Sequence, residues 1–234
     1  MDFIIIYSDQ YHNLFSDGKH IEAREATNLG NAIQKKIKEK YNINIDVYKD
    51  ISKDDLSDEI TYAKKFKNKT VINLHSNAGP SEASGVEGIY YSTDLKMKEF
   101  ATLICNKISQ ASGLKVRRIF SDDELAMIGG IPNPSVLIET FFHTNLNDIK
   151  AYFDNFYKIV EAYCDGIAEF AGVKPIKKDI PENKENIPQW KIDGEKWLFE
   201  NGIITSRHSP TETVDFGELG VILRRFALNS ITSK

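Results

Sequence analysis

Four side chains combine a reactive type with a telling position: His12, Glu22, His75 and Glu139. The stretch VINLHSNAG, Val71 to Gly79, is an apolar run that ends on His75 and gives way to small residues. SVLIE, from Ser135, is another apolar run, and it ends on Glu139. A lone carboxylate there needs a partner or a raised pKa. His12 follows the first apolar run after a short polar loop. Glu22 opens a helical pattern on the face that carries Leu29, Ile33 and Ile37. Two histidines, a glutamate and a water make a common catalytic zinc set. A second glutamate outside the ligands then serves as general base. Each residue also has a plainer reading. His75 can be structural, Glu139 a salt-bridge partner, and Glu22 a carboxylate that favours a helix N-terminus. No HExxH pairing is present, so residue types alone leave both readings open.

The elements that must position these groups follow from periodicity. Phe3 to Tyr7 reads as a central strand. Glu22 to Tyr41 reads as an amphipathic helix, with apolar residues four apart and lysines opposite. INIDVY, Thr70 to His75, Gly85 to Tyr91, Lys115 to Phe120 and Ser135 to Phe141 read as strands. Asp54 to Lys67 reads as a helix, with Ser52 as its cap. A third helix is capped by Ser92-Thr93-Asp94 and ends at Gly113. A last long helix starts at Asn145 or Asn147 and ends near Gly172. Gly129-Gly130 and the prolines after them predict a mobile, turn-rich loop. Strands alternate with helices, so the expected class is α/β: a mostly parallel twisted central sheet with helices on both faces. Such sheets place their sites outside the carboxyl ends of the strands.

Residues 1–176 are expected to form the catalytic domain. KKDIPENKENIP, residues 177–188, has little to bury and reads as a linker. Residues 189–234 are expected to form a small all-α module of two helices, with Gly202 between them. The chain has 234 residues, 41% apolar and 27% charged, as in ordinary globular proteins. Its net charge of -4 gives no footprint for nucleic acid or an anionic membrane. Two isolated cysteines, Cys105 and Cys164, supply neither a disulfide framework nor a zinc knuckle and are expected to be reduced and buried. The N-terminus lacks the pattern of a signal peptide, and no apolar stretch reaches membrane-spanning length. Synthesis in the cytoplasm without a signal peptide or membrane anchor is therefore expected.

VINLHSNAG, with GVEGIYYS ten residues after His75, resembles the "HxNA…GVEVYY" pattern of zinc-dependent N-acetylmuramoyl-L-alanine amidases of the Amidase_3 type. SVLIETFFHTNLND resembles that family's "vLiE.gFisN..d" segment, with Glu139, Phe142 and Asn145 matching position by position. The likeness runs from Met1 to about Val173 and is nearest to clostridial phage endolysins. It implies a peptidoglycan hydrolase that cleaves the amide between N-acetylmuramic acid and L-alanine, acting on the cell wall after release. It also implies Zn2+ as cofactor. Asp9-Gln10-Tyr11-His12 is similar to the family's DPGH, which makes His12 the first ligand, with Glu22 and His75 the others and Glu139 the catalytic residue. Glu25 stays a rival to Glu22, and His20 to His12. Asn77 is expected to fix the loop after His75. Asn77 and His143 are candidate substrate-binding residues, with a plain surface histidine as the alternative for His143. The usual glycines around the first histidine are replaced by Gln10, Tyr11 and Asn13, so a degenerate cell-wall-binding protein is an alternative reading. A host autolysin is another. WKIDGEKWLFENGIITSRHSPTETVDFGELGVILRR looks like segments that follow amidase domains in phage endolysins, which implies wall attachment or homo-oligomerisation.

Overall fold

In the computed structural model, residues 2–7, 13–48, 56–176, 193–194 and 197–198 are described. The chain divides into two compact units, Met1–Ile176 and Lys177–Lys234. The first is built on a six-stranded sheet. Its strands are β1 (Phe3–Tyr7), β2 (Ile45–Val47), β3 (Thr70–Asn77), β4 (Val86–Tyr90), β5 (Val116–Ser121) and β6 (Ser135–Phe142). Their spatial order is β2-β1-β3-β6-β4-β5. The first four in that order are mutually parallel; β4 runs antiparallel to β6, and β5 runs parallel to β4. The expected α/β class is therefore found. β1, β3, β4 and β6 are apolar on both faces because helices cover both.

One face carries α1 (Glu22–Tyr41), α3 (Leu95–Ser112) and α6 (Phe156–Ala171) on a core that includes Phe3, Ile5, Ile72, Leu74 and Ile138. The other carries α2 (Leu56–Lys64), on Ile4, Ile6 and Val71, and the short α4 (Ala126–Gly129), on Ile89 and Leu137. α1 buries Ala26, Leu29, Ile33 and Ile37, one stripe at helical spacing. It ends on Asn42, in the left-handed region at φ 54, whose N–H donates to the Lys38 carbonyl. α3 starts where the Asp94 carboxylate accepts from the Met97 N–H at 3.0 Å and ends on Gly113 at φ 80. At Gly88 of β4, an added Cβ would lie 3.0 Å from Cys105 Sγ and 3.1 Å from the Ala101 side chain, so α3 approaches the sheet only over a bare backbone. Cys105 and Cys164 are free and buried, as expected.

Two expectations are corrected. The last long helix is two helices, α5 (Leu146–Asp154) and α6, separated by Asn155 at φ -117. The break lets α5 sit under the end of β6 while α6 packs on α1 and α3. The turn-rich segment expected from Gly129 onward starts one residue later: Gly129 closes α4, and bends run through residues 130–133. Met127 and Ile128 are buried, and the Met127 carbonyl accepts from Ser135 Oγ at 2.5 Å, which ties α4 to the start of β6. The expected Ser52 cap, the 177–188 linker and nearly all of the 189–234 helices lie outside the described residues. Among the described residues, no helix is long and apolar enough to cross a membrane.

Candidate active site

β3 and β6 run parallel and in register, so His75 stands directly beside Glu139. β6 and β4 pair antiparallel, which sets Glu87 on the far side of Glu139. Residues paired across a sheet point to the same face. α1 brings the third group: its first residue is Glu22, whose Oε1 lies 3.2 Å from His75 Nδ1.

The surroundings fix Glu22 in place. Asn13 Nδ2 donates to Oε2 at 2.8 Å, and the Ser76 N–H points at Oε1 at 3.3 Å. His143 is packed behind it, with Nδ1 3.7 Å from Oε2. That ring is stacked on Phe15, centroids 5.3 Å apart, and Nδ1 lies 3.0 Å from both the hydroxyl and the carbonyl oxygen of Ser76. His143 is 4% exposed, so the surface-histidine reading is corrected. It sits where β6 turns into α5, and its ring fills the layer between the 13–21 segment and the sheet. Glu25, the rival to Glu22, faces Asn28 and the Tyr152 region instead. His20, the rival to His12, pairs with Asp17 at 2.5 Å and packs on Phe153. His12 lies outside the described residues. Its neighbours bracket the site: Tyr7, at the end of β1, pairs with Leu74, and Asn13 binds Glu22.

Charge is concentrated here. Glu139 Oε2 is buried with no hydrogen-bond partner among the described residues. Burial pushes the Glu139 carboxyl up to about 7; the nearby Glu22 and Glu87 raise it too, while His75 and Arg118 oppose them. Burial pulls the His75 imidazole down, but its hydrogen bond to the Glu22 carboxylate and the charges of Glu139, Glu22 and Glu59 carry it up to about 9. Asn77, a candidate substrate contact, donates from Nδ2 to Glu87 Oε2 at 2.9 Å, and its Oδ1 accepts from the Ala78 N–H at 2.8 Å. It thus holds the loop after His75, and the register of β3 on β6 shifts there.

Sequence reasoning passed over Glu87, although it sits in an apolar strand, the same signal that picked out Glu139. Arg117 and Arg118, which both bind Glu87, were missed as well. The register of β4 on β5 shifts between Val86 and Glu87, so both arginines oppose the one glutamate. No local pattern announces that bulge.

Could these residues hold a metal? Among the described residues, no group of three or more His, Cys, Asp or Glu side chains is placed to do so. Glu22 and His75 nevertheless offer one carboxylate oxygen and one imidazole nitrogen side by side, a donor pair suited to zinc. The partnerless Glu139 oxygen beside them suits a base that is not a ligand.

The model of the N-acetylmuramoyl-L-alanine amidase family Amidase_3 matches residues 12–169, more than half of the chain. The chain belongs to this family of peptidoglycan amidases, which are generally zinc-dependent. Solved structures share the fold. The catalytic domain of CwlV, an N-acetylmuramoyl-L-alanine amidase from Bacillus (Paenibacillus) polymyxa var. colistinus, superposes with a TM-score of 0.66 at 20% identity, over 74% of this chain and 100% of that one. An N-acetylmuramoyl-L-alanine amidase from Clostridium difficile 630 gives 0.62 at 19% identity, over 73% and 97%. The catalytic domain of an endolysin targeting Clostridia difficile gives 0.58 at 23% identity, over 72% and 97%. No curated protein matches the sequence.

Proposed function

We propose that this chain is a zinc-dependent amidase that hydrolyses the bond between N-acetylmuramic acid and L-alanine in peptidoglycan, in the role of an endolysin that lyses a phage host. The observation that carries the chemistry is the pairing of His75 with both Glu22, 3.2 Å away, and Glu139, its in-register neighbour. The endolysin role is supported by the motif resemblance and by the likeness to an endolysin catalytic domain.

In this reading Glu22, His75 and His12 hold the metal. When bound, zinc supplies Lewis acidity, polarising a carbonyl and making water a better nucleophile at neutral pH. The remaining work falls to the protein. Asn13, the Ser76 amide and His143 hold the Glu22 carboxylate in one orientation. Glu139 takes a proton from the attacking water as the new carbon–oxygen bond forms at the lactyl carbonyl. It then gives that proton to the nitrogen of the breaking carbon–nitrogen bond, which leaves as the amine of L-alanine. Its burial raises its basicity. Asn77 and His143 were candidates for touching substrate. Their bonds give them another task in this reading, which is to hold the loop beyond β3 and the Glu22 carboxylate.

Digestion of purified sacculi tests the proposal. New N-terminal alanine amines should appear without new glycan reducing ends. Reducing ends without alanine amines would make the protein a glycosidase and refute it.

A further inference from the structure

The row His75, Glu139, Glu87, Arg118 runs straight across β3, β6, β4 and β5. Glu87 is fully buried and takes bonds from Arg118 Nε at 2.9 Å and Nη2 at 3.1 Å, from Arg117 Nη1, and from Asn77. Two guanidiniums share one carboxylate, so this end of the row keeps a surplus positive charge. The two arginine side chains are about half exposed, at 45% and 53%. Arg117 also lies over the Phe142 ring, 5.3 Å from its centroid, which orients it.

Beside Arg117 opens a groove of about 460 Å³ between the 80–84 loop and the start of β5, lined by Pro80, Glu82, Ala83, Ser84, Lys115 and Arg117. The loop wall is rigid. Asn145 Nδ2 donates to the Ala83 carbonyl at 3.1 Å, Ser84 Oγ to Asp148 at 2.6 Å, the Gly85 N–H to Asp148 at 2.9 Å and the Gly79 N–H to Thr144 Oγ1 at 3.1 Å. The Glu82 carboxylate already accepts from Ser81 at 3.3 Å. Lys115 is exposed and makes no ion pair among the described residues. A preformed wall with two cations beside it suits an anion better than a neutral sugar.

Resting on the amidase reading, we infer that this groove is a subsite for a carboxylate of the stem peptide, held by Lys115 and Arg117. The distance fits. Glu139 and Arg118 are two strand spacings apart, roughly 10 Å. An extended peptide covers that in about three residues at ~3.4 Å each. Arg117 is the residue before Arg118 on β5, so a carboxylate on the second or third residue beyond the scissile amide reaches it, with Lys115 two residues farther along.

The test is binding, measured by calorimetry on the intact protein. The probes are a three-residue peptide starting with L-alanine with free carboxylates on residues two and three, and the same peptide with carboxamides there. Wild type should bind the carboxylate form about fivefold more tightly, a preference that added salt erodes. Lys115→Gln should remove most of that preference. Arg117→Gln, which leaves Arg118 on Glu87, should do the same. Equal affinity for both peptides, no detectable binding of either, or an undiminished preference in both variants would overturn the subsite. Cleavage of muropeptides is scored separately. A preference in a protein that releases no alanine amine would sink the amidase reading and leave the subsite standing.

Discussion

At the scale of single residues, the proposed mechanism gives Glu139 and His75 different work, and substitution should separate them. Glu139→Gln keeps the shape of the side chain and removes the base. Hydrolysis should fall by roughly a hundredfold to ten-thousandfold, the range for loss of a general base, with folding intact. Turnover of a soluble muropeptide, beside a thermal unfolding curve, checks this; near-full activity would be fatal to the assignment. Sequence alone singled out His75 and Glu139 as polar groups where an apolar run stops, and Glu22 as a carboxylate where a helical pattern begins. The same logic could not rank Glu22 over Glu25. That choice needs the turn of α1 that aims Glu22 at His75 and Glu25 at Asn28. Nor could it show His143 buried, since a histidine one residue past a strand looks exposed until the 13–21 segment, with Phe15, covers it.

Among the elements, the least replaceable joint is the Asp148 carboxylate. It takes the Phe142 N–H at 3.0 Å, the Gly85 N–H and the Ser84 hydroxyl, so one side chain ties α5 to the end of β6 and to the loop before β4. Asp148→Ala strands two buried amides, and the expected loss is roughly 3 kcal/mol of stability by chemical denaturation. A change within experimental error would show that water takes over the clamp. Gly88→Val should cost about 1–3 kcal/mol by overpacking against Cys105 and Ala101, read as a lower melting temperature. Periodicity located every strand and the long helices well, α1 down to its first and last residues. It missed the break at Asn155, since asparagine is no helix breaker by type. It also left α4 unseen, because four residues are too few for a helical period to show. The antiparallel β4–β6 pairing, which builds the charged row, has no local signature at all.

For the whole molecule, the division into Met1–Ile176 and Lys177–Lys234 frames the proposal that the first unit alone carries catalysis and the second attaches to the wall or pairs with another copy. Residues 1–176 expressed alone should unfold cooperatively and cleave soluble muropeptides at close to the full-length rate. They should also sediment less with sacculi. A fragment that folds but does not cleave would move part of the site into the second unit. The central claim, that Glu22 and His75 form a zinc site with Glu139 outside it, is met most directly by elemental analysis. Purified wild type and Glu139→Gln should each hold about one zinc per chain, and His75→Ala should hold almost none. Wild type that neither contains zinc nor takes it up on addition, or a His75→Ala variant that holds as much as wild type, would contradict it.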